Sequence, residues 1–356
     1  MSRTWVNQAV TKIESDFHRS ADTHLLKIDV PAFADIALYI KDESTHPTGS
    51  LKHRLARSLF LYGLCNGWIN QNTTIIEASS GSTAVSEAYF ARLLGLPFIA
   101  VMPATTSQEK IKKINFYGGQ CHLVDDPSTL YQESHRLARE TKGHFMDQFT
   151  YAERATDWRS NNNIAESIFE QLAKEQHPEP TWIVTGAGTG GTSATIGRYI
   201  RYNKLTTKLH VVDPENSAFY DGFIKQDPSF TINSSSKIEG IGRPQVELSF
   251  VPGVIDTMQK VPDAASVAAV LFLEKVLGRQ CGGSTGTNFY GVVHLLRQMQ
   301  QQQQTGSIVT LICDDGSRYQ HSYYNQAWRA KHNINVEPYL AQLETFWTTG
   351  QWSEIV

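Results

Sequence analysis

Three Gly/Ser-rich turns that each open a helix constrain this chain more than any other feature. Ser79-Ser80-Gly81-Ser82-Thr83 follows the apolar run TTIIEA (73–78) and leads into TAVSEAYFARLLG. Gly186-Ala187-Gly188-Thr189-Gly190-Gly191-Thr192 closes TWIVTG and leads into TSATIGRYIRYN, and Gly282-Gly283-Ser284-Thr285-Gly286-Thr287 precedes a further helix-like stretch. Between the first two, PFIAVMP, SQEKIKKINFYGG, QCHLVDD and STLYQESHRLARETKG continue the alternation. A βαβαβ rhythm of this kind requires parallel strands joined by helices that cover both sheet faces. A polar stretch near 154–163 interrupts it, and a helix to about Ala173 precedes a second alternation ending in KLHVVD. The sequence therefore predicts two doubly wound α/β domains with a cleft between them. Residues 217–252 show little periodicity and read as a long functional loop, followed by the helix DAASVAAVLFLEKVLG and the strand SIVTLIC.

Each turn has a natural guest. The turn at 186–192 offers backbone N–H groups, hydroxyls and a helix N-terminus, which together bind a phosphate. It also fits GxGxxG through Gly186, Gly188 and Gly191, with Asp213 ending a strand about twenty residues on, so an NAD-dependent oxidoreductase stands as one reading. The turn at 79–83 suits a small carboxylate, and the turn at 282–287 would bring a hydroxyl into a tight space. Singly, each could be no more than a well-capped βα turn.

A lysine supplies the reactive group. Leu51, Leu55 and Leu59 recur every four residues, which predicts a helix beginning near Ser50 with that serine as N-cap. Lys52 then sits in the first turn, at the positive end of the helix dipole, where a cation is disfavoured by roughly a few tenths of a kcal/mol. A lysine held there has a reason to exist partly as the neutral amine that condenses with aldehydes.

Composition narrows the classes. The 356 residues suffice for about two domains. A net charge of -3 without dense Lys/Arg clusters argues against nucleic-acid binding. No apolar run approaches the roughly 18 residues of a membrane span. The start, MSRTWVNQAVTKIESDF, lacks the apolar core of a secretory signal. The 4 cysteines form no CxxC pair, which fits a reducing cytoplasm, and the 12 histidines show no HxxxH or HExxH spacing, so no metal site is expected.

PTGSLKHR, SSGST, GTGGT, EGIG (Glu239 to Gly242) and GGSTGT, in this order across roughly residues 40 to 320, resemble the pyridoxal-phosphate enzymes of fold type II, the tryptophan synthase β-like group that includes cysteine synthase and cystathionine β-synthase. The resemblance implies that Lys52 carries pyridoxal 5'-phosphate as a Schiff base. Gly188, Thr189, Gly190, Gly191 and Thr192 would hold the phosphate, and Ser284 would face the pyridine nitrogen. Ser79, Ser80, Gly81 and Thr83 would take the amino-acid carboxylate, with Gln148 approaching the substrate and Gly240 near its amine. Ser82 stands where the family usually has an asparagine that contacts the cofactor's phenolic oxygen. The expected division is a smaller domain over 50–154, carrying the carboxylate turn, and a larger one over 1–49 plus 155–356, carrying the phosphate turn.

SSGST, EGIGRP and CDDGSRY with Tyr323 and Tyr324 most resemble the bacterial L-cysteine desulfhydrases. The expected reaction is β-elimination on L-cysteine, giving sulfide, pyruvate and ammonia. A neutral hydroxyl at the ring nitrogen makes a weaker electron sink than a carboxylate partner would, which favours loss of a Cβ substituent over transamination. Cysteine synthesis from O-acetylserine and sulfide is the alternative within the family. A homodimer is the assembly the resemblance implies. Cys281, beside the third turn, could suggest a sulfur acceptor, but small buried cysteines are the commoner case.

Overall fold

A computed structural model describes residues 2–19 and 22–355. In chain order the elements are α1 (Arg3–His18), β1 (Leu25–Ile28), β2 (Ile36–Asp42), α2 (Lys52–Cys65), β3 (Ile75–Ala78), α3 (Ser82–Leu94), β4 (Phe98–Pro103), α4 (Gln108–Phe116), β5 (Gln120–Val124), α5 (Leu130–Glu140), β6 (His144–Phe145) and α6 (Gln148–Ala155). They continue with α7 (Ile164–Leu172), β7 (Trp182–Gly186), α8 (Gly191–Tyr202), β8 (Lys208–Pro214), α9 (Phe219–Lys225), β9 (Thr257–Val261), α10 (Asp263–Leu277), α11 (Gly283–Gln301), β10 (Gly306–Ile312), α12 (Gln326–Lys331) and α13 (Glu337–Thr349). By contacts the chain separates into two compact units, Met1–Asp22 with His46–Asp157, and Thr23–Thr45 with Trp158–Val356.

The first unit is built on a four-stranded sheet of order β5-β4-β3-β6, parallel throughout. Its strands are short and apolar because both faces are covered: Ile75, Ile76, Ala100, Val101 and Met102 are buried. Gly95 ends α3 at φ +72, a left-handed position suited to glycine, and Leu96 N–H returns to Ala91 O. Helix α1 corrects the sequence expectation, which assigned residues 1–49 to the larger domain. Ala9 and Ile13 of α1 are buried in the same cluster as Leu55, Leu59 and Ala88, so this amphipathic helix belongs to the smaller core.

The second unit carries a six-stranded sheet of order β1-β2-β10-β7-β8-β9, parallel except for the antiparallel edge pair β1–β2. The parallel β/α alternation read from the sequence is therefore present in both sheets. β1 and β2 fall outside the β/α alternation, because no helix separates them and the hairpin pattern is short. Buried residues lie all along α10 (Ala265, Val267, Ala268, Ala269, Val270, Leu273), as expected for a helix packed on several sides. The region 217–252 is less irregular than expected, since it contains α9, whose Gly222 leaves room for Val246.

Candidate functional site

The first unit gathers Lys52, the turn at 79–83 and Gln148. α2 starts one residue later than a Ser50 cap would set it: Leu51 is the N-cap, and Ser50 Oγ instead accepts from Lys52 N–H at 3.3 Å. Gly49, at φ +73, turns the chain into the helix, and its N–H donates to His46 O. Lys52 is thus the first helical residue, as the dipole argument required, and is partly exposed. Its neighbour His53 is buried, with Nδ1 3.2 Å from Thr48 Oγ1, and Thr48 in turn meets Ser86 Oγ of α3 at 2.9 Å. Arg54 pairs with Asp22 at 2.8 Å. These contacts tie the loop before Lys52 to α3.

β3 ends at Ala78 and α3 begins at Ser82, so Ser79, Ser80 and Gly81 form the connecting turn, with Gly81 N–H donating to Ser79 Oγ at 3.2 Å. Ser79, Ser80, Gly81 and Ser82 are half-buried, whereas Thr83 is buried and donates its hydroxyl to Gln148 Oε1 at 2.7 Å. The structure therefore brings Gln148 and the turn at 79–83 together. Gln148 differs from the expectation in one respect. It is 4% exposed, and its carboxamide is held between Thr83 and the Glu77 carboxyl, so it braces the turn from inside.

Two residues behind this turn escaped the sequence reading. Glu77 of β3 and Glu87 of α3 are both 0% exposed. Burial, reinforced by the nearby Asp147 charge, pushes the Glu77 carboxyl up to about 8, while burial and the adjacent Glu77 push Glu87 well above the ordinary range. The available signals were a charge inside the apolar run TTIIEA and a glutamate one turn beyond Thr83 on the same helix face.

The second unit gathers the turn at 186–192, Gly240 and Ser284. β7 delivers its C-terminal end to the turn, and α8 starts at Gly191, with Gly190 at φ +89 as a cap that offers no side chain. Thr189 Oγ1 accepts from Gly191 N–H at 3.2 Å, which fixes the turn while Thr192 stays partly exposed. A Cβ on Gly188 would overlap the Gly240 carbonyl oxygen, and Gly242 N–H donates to Ala187 O at 3.0 Å. The segment 239–242 thus lies directly on the phosphate-type turn. Tyr323 clamps it: Glu239 N–H donates to Tyr323 Oη at 2.7 Å, and that hydroxyl donates to Lys237 O at 3.0 Å.

Ser284, in the first turn of α11, is buried and hydrogen-bonds to Cys313 Sγ. Cys313 also receives the Asn288 amide at 3.3 Å, and its own N–H donates to Thr285 Oγ1 at 3.0 Å. Beside it, burial raises the Asp314 carboxyl to about 6, even with Arg318 and the Tyr319 hydroxyl opposing the shift. All four cysteines are free, and burial pushes the thiols of Cys281 and Cys313 upward, which favours the protonated, unreactive form.

Asp213 separates the phosphate reading from the dinucleotide one. A ribose-binding acid must reach solvent at the strand end. Asp213 is 0% exposed, and its Oδ2 accepts from Tyr220 N–H at 2.8 Å. The acid that completes the NAD pattern is therefore occupied inside the fold.

The chain matches the family described as pyridoxal-phosphate dependent enzyme over residues 20–314. It is 58% identical to an L-cysteine desulfhydrase of Mycobacterium tuberculosis, covering 99% of this chain and 97% of the relative. It is 30% identical to cysteine synthase B of Campylobacter jejuni, covering 83% and 92%. Among solved structures, the hydrogen sulfide-producing enzyme of Fusobacterium nucleatum superposes with a TM-score of 0.78 at 23% identity, covering 89% of this chain and 92% of that one. O-acetyl serine sulfhydrylase isoform 3 of Entamoeba histolytica gives 0.75 at 21% identity, covering 92% and 95%. These two structural likenesses carry the fold.

Proposed function

Since the chain belongs to the pyridoxal-phosphate dependent enzyme family, we propose that it is an L-cysteine desulfhydrase, a carbon-sulfur lyase that converts L-cysteine to hydrogen sulfide, pyruvate and ammonia. The observation that carries this reading is the near-full-length likeness to a desulfhydrase, at almost twice the identity shared with the cysteine synthase.

The residues present fit the cofactor. An α-helix leaves its first N–H groups without intrahelical partners, and at Gly190 no side chain caps α8, so the turn keeps donors for a phosphate. Gly188, Thr189, Gly190, Gly191 and Thr192 would hold that phosphate, and the buried, neutral Ser284 would face the ring nitrogen. Lys52 Nζ would hold the aldehyde carbon, and the half-buried Ser82 hydroxyl would lie toward the phenolic oxygen. When bound, pyridoxal phosphate supplies the electron sink that lets a substrate lose its Cα proton and its β-sulfur.

The chain's own groups divide the remaining work. The N–H groups and hydroxyls of Ser79, Ser80, Gly81 and Thr83 bind the substrate carboxylate, and Gln148 keeps that turn in shape. Gly240 would lie near the substrate amine, where the absence of a side chain leaves room. Lys52 Nζ, as a neutral amine, takes the Cα proton as general base. Buried Cys313 orients the Ser284 hydroxyl through their hydrogen bond.

The test is to give the purified enzyme L-cysteine alone and measure sulfide and pyruvate, with a parallel reaction of O-acetylserine plus sulfide. Equal release of both products from cysteine is expected. Fast cysteine synthesis with negligible pyruvate would instead assign the chain to β-replacement. Lys52→Ala should lose both turnover and the long-wavelength absorbance of bound cofactor. No described helix is long and apolar enough to cross a membrane. A cytoplasmic homodimer completes the proposal, and light scattering on the holoenzyme checks the assembly.

A further inference from the structure

Glu77 and Glu87 have no part in the chemistry above, yet both lie in the core of the first unit behind the carboxylate turn. Ionised carboxylates only accept hydrogen bonds. Neither oxygen of Glu87 finds a donor among the described residues, nor does Glu77 Oε1. Two bare carboxylates side by side in a dry core are costly, and one proton between them removes the conflict. The surroundings say which residue carries it. Glu77 already accepts from Gln148 N–H at 3.3 Å and from the Gln148 amide and Ala78 N–H, whereas among the described residues the hydrogen bond open to Glu87 is the one to the Glu77 carboxyl.

The charged groups facing the pair are few. Lys52 of α2 faces Glu87, and Asp147 faces Glu77. His53 of α2 turns toward Tyr89 and Phe90, Asp16 of α1 takes the Tyr89 hydroxyl, and β4 brings no titratable residue.

We propose that Glu87 is a positioning residue for the amino-acid site: it stays a neutral acid, its O–H bridges to the Glu77 carboxyl, and the bridge fixes Gln148 while Glu87 itself presents no charge to Lys52. The inference rests on the roles given above to Lys52 and Gln148. The path is continuous, from Glu87 through Glu77 and Gln148 to Thr83 in the turn. Burial raises both carboxyls, reinforced at Glu77 by the Asp147 charge and at Glu87 by Glu77, so at neutral pH the pair retains its proton.

Infrared spectroscopy of the holoenzyme, labelled with carboxyl-13C glutamate to separate buried aspartates, tests the proposal at about pH 9, where an ordinary glutamate is fully ionised. A protonated-glutamate C=O band is expected in the wild type and should vanish in Glu87→Gln and Glu87→Leu. Glu87→Gln supplies a neutral donor and should keep the wild-type KM for L-cysteine, while Glu87→Leu should raise it about tenfold, the effect of one lost buried hydrogen bond. Absence of the band in folded wild-type protein, or equal impairment by glutamine and leucine, would overturn the proposal. If Glu87→Leu does not fold, the band and the Glu87→Gln kinetics still decide it. Failure of the Lys52 assignment would appear separately, as cofactor absorbance retained in Lys52→Ala, and would leave the infrared band unchanged.

Discussion

Thr83 and Gln148, 65 positions apart, meet through a 2.7 Å hydrogen bond in which the threonine hydroxyl donates to the glutamine carbonyl, with both side chains buried. The bond links the first turn of α3 to the first residue of α6, so the carboxylate turn is braced by a different segment of the same unit. Thr83→Val preserves shape but removes the donor and leaves a buried carbonyl unpaired, which costs about 1–3 kcal/mol. KM for L-cysteine should rise roughly tenfold or more, with a smaller change in kcat. Steady-state kinetics check this, and an unchanged KM would remove Thr83 from the substrate-binding set.

Gly190 and Gly240 both have positive φ, +89 and +90, but they tolerate a side chain differently. A Cβ on Gly190 would lie 2.5 Å from Phe250 Cα, backbone that cannot move aside, whereas nothing stands within 4 Å of one on Gly240. Gly190→Ala should abolish cofactor retention through gel filtration. Gly240→Ala should retain the cofactor and lose only about 1–2 kcal/mol of stability from the left-handed backbone. Equal cofactor loss in both variants would contradict this difference.

Tyr323 holds the segment 237–239 by accepting from Glu239 N–H and donating to Lys237 O. Tyr323→Phe removes both hydrogen bonds, to Glu239 N–H and Lys237 O, and should destabilise the protein by about 1–3 kcal/mol in urea titrations. The same variant should weaken L-cysteine binding, because Gly240 follows directly. A variant that loses stability but keeps its KM would confine Tyr323 to a structural role.

The parallel α/β alternation and the turns at 79–83, 186–192 and 282–287 were legible because strand, turn and helix each leave a local pattern. Lys52 at the first position of α2 was legible for the same reason. Glu77 and Glu87 were not, since their meaning depends on burial and on each other, and β3 and α3 reveal that only once packed. α1 had a helical start but no local sign of its core, which Leu55 and Leu59 of α2 help supply. Gln148 was found by resemblance, while its inward orientation follows from Thr83 and Glu77, far from it in sequence.

Asp213 provides a test in pH. Burial raises its carboxyl to about 7, outweighing the opposing hydrogen bonds from Ser217 and Tyr220 and the charge of Lys260. The folded pKa therefore lies above the unfolded value near 4, so the native state binds a proton that the unfolded chain has released. Stability from this group is present in full below about pH 4, falls as pH rises toward about 7, and then levels off. Asp213→Asn keeps an acceptor for Tyr220 N–H and cannot ionise. It should match the wild type near pH 4 and exceed it by about 2–4 kcal/mol near pH 8. Urea unfolding at the two pH values checks this, and parallel stability curves for the two proteins would show that Asp213 ionises in the fold as readily as in water.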